Sequence, residues 1–260
     1  MRIFAITNQK GGVGKTTTAV NLAASLKTIK RKVLMVDLDP QGNATMGSGV
    51  DKNTLRHSVY DVLTGRCTID EAITPAEEAG YDLLPANADL TAAEVELLGL
   101  DQKEHRLCNA LRGLEDRYDY VIIDCPPSLS MLTVNALVAS DSVIIPMQCE
   151  YYALEGLSAL INTITGITKR LNPELKIEGL LRTMFDPRTS LTRDVSNQLI
   201  VHFGDRVYDT VIPRNVRLAE APSYGLPALV YDRRSRGAMA YLALAGEVLR
   251  KSRKQTAAAG

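Results

Sequence analysis

The chain has no excess charge of either sign: lysine plus arginine and aspartate plus glutamate number 30 each in 260 residues. Such a balance gives no global field toward nucleic acid or an anionic membrane, so any binding of that kind must come from a local patch. Long apolar runs are also missing. The opening Met1-Arg2-Ile3-Phe4-Ala5-Ile6-Thr7 is too short for a signal peptide, and no stretch approaches membrane-spanning length. A soluble, cytoplasmic protein is expected. Cys67, Cys108, Cys125 and Cys149 include no Cys-x-x-Cys pair of the kind that holds zinc or forms a redox couple, and they read as reduced, mostly buried thiols. Histidine is equally scarce: His57, His105 and His202 are the available imidazole bases, and none sits in a recognised motif. Internal repeats and low-complexity linkers are lacking, apart from a polar, alanine-rich end. The organisation expected is therefore one domain over residues 1–250 and a flexible tail over 251–260.

What is present is a regular alternation. Short β-branched runs at Arg2 to Thr7, Val33 to Val36, Tyr81 to Leu84, Tyr120 to Ile123, Ser142 to Pro146, Ile177 to Thr183 and Val207 to Ile212 are separated by longer amphipathic stretches. That pattern predicts an α/β fold, a mostly parallel twisted sheet with helices on both faces. Val121-Ile122-Ile123 and Val143-Ile144-Ile145 are apolar at consecutive positions, which suits central strands covered on both sides. Thr17 to Ile29 and Leu154 to Leu171 have the length and spacing of crossover helices.

The chemistry concentrates after the first run, in Lys10-Gly11-Gly12-Val13-Gly14-Lys15-Thr16-Thr17. A glycine-rich loop between a strand and a helix lets backbone amides and a helix N-terminus surround phosphate. Gly11, Gly12 and Gly14 allow close approach, Lys15 reaches the β and γ oxygens, and Thr16 holds magnesium. The common pattern asks for glycine where Gln9 stands, and Lys10 adds a second lysine. Two acidic motifs follow later strands: Asp37-Leu38-Asp39-Pro40-Gln41-Gly42-Asn43 and Asp124-Cys125-Pro126-Pro127. Both place carboxylates at strand C-terminal ends, the edge where open α/β sheets bind ligands. A guanine-reading Asn-Lys-x-Asp motif is missing, which favours adenine weakly.

The loop resembles the deviant Walker A motif of the ParA and MinD superfamily, a P-loop NTPase type. The likeness to ParA/Soj partitioning ATPases covers nearly the whole chain, through Asp37 to Thr45, Asp124 to Leu129, Gln148 to Gly156 and Pro213 to Pro222. The resemblance implies ATP and Mg2+ as cofactors and Lys10 reaching across an ATP-dependent homodimer to the partner's nucleotide. It also implies Asp39 positioning the attacking water, Asp37 and Asp124 supporting the magnesium shell, and Pro213 and Asn215 contacting the adenosine. Members bind duplex DNA without sequence preference and respond to a ParB-type centromere-binding protein, so association with the nucleoid is implied here. The chain begins almost at its first strand, and a helix-turn-helix extension for operator binding is not expected. DNA contacts are expected instead from arginines of the C-terminal half: Arg182, Arg188, Arg193, Arg206, Arg214, Arg217, Arg233, Arg234 and Arg236, with Arg188 and Arg217 foremost. Related folds can carry an iron–sulfur cluster between subunits, and Cys125 beside Asp124 keeps that alternative open.

Two other readings share the scaffold. A MinD-like membrane switch needs a C-terminal amphipathic membrane helix, whereas the apolar residues of Gly237 to Arg250 read as a face docked on the domain and no membrane partner is expected. An ATP-dependent amidase or carboxylase needs a substrate constellation, and the three histidines form none.

Overall fold

The computed structural model describes residues 1–151 and 153–259, the side chains of 253–259 excepted. In chain order the elements are β1 (Arg2–Ile6), α1 (Lys15–Thr28), β2 (Val33–Asp37), α2 (Asn43–Gly47), α3 (Val59–Thr64), α4 (Ile69–Ala72), β3 (Thr74–Ala76), β4 (Tyr81–Leu84), α5 (Leu90–Glu96), α6 (Arg106–Leu111), β5 (Tyr120–Asp124), α7 (Met131–Ala139), β6 (Ser142–Gln148), α8 (Ala153–Arg170), β7 (Lys176–Phe185), α9 (Ser190–Phe203), β8 (Val207–Pro213), α10 (Val216–Glu220), α11 (Ala228–Tyr231) and α12 (Arg236–Ala259). The strands form one sheet in the order β3-β4-β2-β5-β1-β6-β7-β8, parallel throughout except at the β3–β4 edge.

Consecutive apolar residues serve opposite faces. Val121, Ile123, Val143 and Ile145 pack into one core with α3, α5, α7 and α8, while Ile122 and Ile144 join Phe4, Ile6 and the buried faces of α1 and α12 in the other. Both β5 and β6 lie inside the sheet, as their composition predicts. The seven expected strands are all present, within two residues at each end. The additional strand, β3, is short, carries Pro75 and pairs antiparallel at the edge, a place proline tolerates because one side of the strand needs no ladder donor.

Helix α12 docks Ala238, Tyr241, Leu244, Ala245 and Val248 into the core. Its backbone continues through Ala259, across the stretch expected as a tail. No helix among the described residues is long and apolar enough to cross a membrane.

The β7–β8 pairing is irregular, with register shifts on both sides of Arg182. Arg182 is buried there, donating to the Ser196 hydroxyl at 2.9 Å and to the carbonyls of Tyr208 and Asp209 at 2.7 and 3.2 Å. It is an internal strut, which corrects its expected place among the DNA-facing arginines. A cavity of about 760 Å³ lies beside it, lined by residues of β7, the turn from α9 into β8, and α12. Its wall mixes Arg182, Arg206 and Lys251 with Glu178, Asp205, Asp209 and Glu247, a balance of signs that selects no phosphate.

Candidate functional site

Strand register assembles the site. Ile6 of β1 and Asp37 of β2 both stand opposite Asp124 of β5, so the loop after β1 leaves the sheet beside two carboxylates. Gly12 and Gly14 have φ of 73° and 88°, left-handed values that a side chain strains, and Gly14 is the N-cap of α1. A Cβ added at Gly11 or Gly12 would meet no protein atom, so the loop leaves open space where backbone amides can face an anion. Asn8 anchors the front of the loop by donating to the Pro146 carbonyl at 2.8 Å, and Thr183 holds its middle by donating to the Val13 carbonyl at 2.8 Å.

The two lysines are disposed differently. Lys15 is buried, and its ammonium donates to the Lys10 carbonyl at 3.2 Å. Burial lowers its pKa, against the upward pull of Asp124, Cys125 and Asp39. Lys10 turns outward: its ammonium meets Glu150 Oε2 at 2.5 Å, with both side chains about half-exposed.

Asp37 and Asp124 are fully buried. Asp37 Oδ2 accepts from the Thr45 N–H and hydroxyl, both at 2.8 Å, and Oδ1 accepts from the Asp39 N–H at 3.1 Å. Burial pushes its pKa up to about 6 despite those bonds. Asp124 is driven well above the usual carboxylate range, first by burial and next by Asp37, while Thr16 and Lys15 pull the other way. Neither Asp124 oxygen has a well-formed hydrogen bond. A buried carboxylate in that condition calls for a cation, and magnesium suits it, since that ion is held by one or two carboxylates together with phosphates and water. Thr16 opens α1 beside it. Asp39 is less enclosed and accepts from the Gln41 N–H at 2.9 Å.

A cleft of about 230 Å³ continues from Gly14 and Thr17 to Pro213, Asn215, Leu218 and Tyr241. It is largely apolar, and Asn215 Oδ1 lies buried there without a partner. The Asn215 amide offers both an acceptor and donors, which suits hydrogen bonding to the edge of a purine base. The loop, both acidic motifs and the Pro213 to Asn215 turn thus meet along one edge of the sheet.

The arginines are less united. Arg188 lines a cleft with Arg214 and Arg236 next to Pro213, but its guanidinium is held by Asp186 at 2.9 and 2.7 Å. Arg217, on α10, is paired with Glu220 at 2.7 Å and Asp232 at 3.4 Å and does not line that cleft. His57 lies in the stretch before α3, His105 is the N-cap of α6 and His202 lies on α9, so the three sit on separate parts of the chain. Cys125 and Cys149 are core thiols, with pKa values raised by burial, to about 11 for Cys149. Tyr152, within one of the resembling stretches, lies outside the described residues.

Sequence reasoning did not single out four participants: Asn8, Thr45, Thr183 and Glu150. Thr45 carried a signal, closing the Asp37 to Thr45 stretch where α2 begins. The other three act through contacts distant in sequence, which local spacing does not reveal.

A family model described as an AAA domain matches residues 1–177. The sporulation initiation inhibitor protein Soj of Bacillus subtilis is 56% identical over 247 residues, covering 95% of this chain and 98% of that protein. The chromosome partitioning protein ParA of Caulobacter vibrioides is 49% identical over 261 residues, covering 100% and 98%. Among solved structures, cobyrinic acid a,c-diamide synthase from Mycobacterium smegmatis with bound ADP and magnesium is 40% identical, with a TM-score of 0.86 over 97% of this chain and 96% of that one. With its loop on the parallel-sheet edge and near-full-length identity to Soj and ParA, the chain belongs to the ParA/Soj family and is an ATPase that uses ATP with magnesium.

Proposed function

We propose that this protein is an ATP-dependent dimerising switch that binds duplex DNA without sequence preference and partitions a chromosome or plasmid together with a ParB-type partner. It would work in the cytoplasm, on the nucleoid. The observation that carries the reading is the outward Lys10, whose ammonium points away from its own loop and is half-exposed on Glu150, where a second copy can reach it. A cation brought across an interface neutralises charge on a transferring phosphoryl group as an arginine finger does. The name of the Caulobacter vibrioides relative, a chromosome partitioning protein, supports the partitioning role.

Within one protomer, residues 1–250 act as one ATPase unit. Lys15 binds the β and γ phosphates, and the amides of Gly11 to Thr17 surround them. Asp39 orients the attacking water, while Pro213 and Asn215 hold the adenosine. Thr16, Asp37 and Asp124 would hold magnesium, which neutralises phosphate charge when it enters with the nucleotide. On the DNA side, Arg188 and Arg217 are each answered by a local carboxylate, so one protomer offers little. Two protomers double the phosphate contacts, and affinity rises steeply with their number. The core-facing residues of α12 favour DNA over a lipid surface, because Tyr241, Leu244 and Val248 are occupied inside the domain.

Size-exclusion chromatography with ATP, with ADP and without nucleotide, repeated with duplex DNA, tests the reading. The wild type should elute as a dimer with ATP alone and co-elute with unrelated DNA sequences in that state. Lys10→Ala should bind ATP and remain monomeric. Full dimerisation of that variant would overturn the trans-acting lysine.

A further inference from the structure

Strands β1 and β6 are parallel neighbours, with Phe4 to Ile6 beside Ser142 to Ile144. The connections leaving their C-terminal ends therefore emerge side by side: the front of the phosphate loop, and the turn into α8. Three contacts tie them. Asn8 donates to the Pro146 carbonyl at 2.8 Å, Gln9 Nε2 donates to the Thr163 hydroxyl at 3.5 Å, and Lys10 Nζ meets Glu150 at 2.5 Å. The first is buried and fixes the backbone. The last joins side chains that keep 47% and 50% of their exposure, so it can be exchanged without disturbing the core. The Lys10 backbone is fixed as well, its N–H on Asn8 Oδ1 at 3.0 Å and its carbonyl on Lys15, which leaves the side chain as the movable part.

We infer that Glu150 is an autoinhibitory latch on Lys10, an inference that rests on the trans-acting role proposed above. Within one protomer the carboxylate neutralises Lys10 and turns it toward α8. Dimer formation must replace that carboxylate with the phosphates of the partner's nucleotide. The exchange trades one anion for another, so the latch sets a threshold rather than a block. ATP, carrying the γ-phosphate, competes with Glu150 better than ADP does, and the latch thereby sharpens the distinction between the two nucleotides. An exposed ion pair is worth about 0–1 kcal/mol, and 1 kcal/mol is about fivefold in an equilibrium constant. Each dimer opens two latches, so together they weaken it by up to about twenty-fivefold. Salt screens exposed pairs, so the effect should fade as ionic strength rises.

Sedimentation equilibrium with magnesium and a non-hydrolysable ATP analogue, at about 0.05 M and about 0.5 M salt, separates the outcomes. Glu150→Gln should dimerise more tightly than the wild type at low salt, by up to about twenty-fivefold, and converge with it at high salt. It should also form some dimer with ADP. Glu150→Asp keeps the charge at shorter reach and should fall between the two, and all three chains should unfold at the same temperature. Equal dimerisation of Glu150→Gln and wild type at low salt would overturn the latch. Weaker dimerisation of the variant would overturn it too, by showing that Glu150 acts across the interface. If wild type stays monomeric with the analogue, or Lys10→Ala dimerises as well as wild type, the trans-lysine reading fails and takes the latch with it, a result that needs no Glu150 variant.

Discussion

The two charged regions of this chain follow opposite plans. At the strand C-termini, Lys15, Asp37 and Asp124 are buried, and they are placed by strand register and by backbone donors. On the C-terminal surface, Arg188 and Arg217 are exposed, and each is paired with a carboxylate a few residues away. Interactions among buried charges are poorly screened, so a few groups in one chain can carry most of a phosphate site. Exposed charges act in high dielectric and gain strength by number, so on the function proposed above the arginine surface would gain from assembling copies.

That contrast can be broken by substitution. Lys15→Ala should have the largest effect: loss of one buried cationic partner costs about 3–5 kcal/mol, so ATP affinity measured calorimetrically should fall by about two orders of magnitude or more. A loss below tenfold would show that burial adds nothing to this lysine. Asp39→Ala comes next. Positioning the water serves the chemical step more than ground-state binding, so phosphate release should slow by about 100-fold while the ATP dimer accumulates. Normal turnover would move the water-positioning role to Asp124.

Arg182→Ala tests the contrast inside the arginine set itself. Its removal strands the Ser196 hydroxyl and two carbonyls, and chemical denaturation should register a loss of about 2–4 kcal/mol. Arg188→Glu and Arg217→Glu, both on the surface, should leave the denaturation midpoint essentially unchanged. Each should lower dimer affinity for unrelated duplexes about equally, by roughly three- to tenfold, and reduce the salt slope by about 1. Fluorescence anisotropy across a salt series reads both effects. Unchanged DNA affinity in both variants would move the surface to Arg233, Arg234 and Arg236.

The phosphate edge was legible because its parts are local. Gly12, Gly14 and Lys15 lie within four residues, and Asp37 and Asp124 each end an obvious strand. Local spacing could not tell that Arg182 turns inward: an arginine between Leu181 and Thr183 reads as a strand residue facing solvent, and only the irregular β7–β8 pairing makes room for it. Strand β3 escaped notice because three residues with a central proline carry no periodicity. Glu150 was quoted only as part of a resembling stretch, and its meeting with Lys10 depends on β1 and β6 being neighbours, a fact of topology.

That same neighbourhood has a consequence for synthesis. Strand β1 leaves the ribosome before both of its partners, which arrive only with residues 120–124 and 142–148. At about 5–20 residues per second the wait for β6 is on the order of ten seconds. Through that interval the nascent chain carries a glycine loop without its anchors, on a strand whose hydrogen-bonding edges are bare and sticky. The nucleotide cannot help the early chain fold, because the carboxylate of β5 and the anchor on β6 do not yet exist. Pausing or truncation between β5 and β6 should therefore yield aggregates rather than a partial ATPase, and the catalytic edge should be among the last parts of the molecule to become protease-resistant.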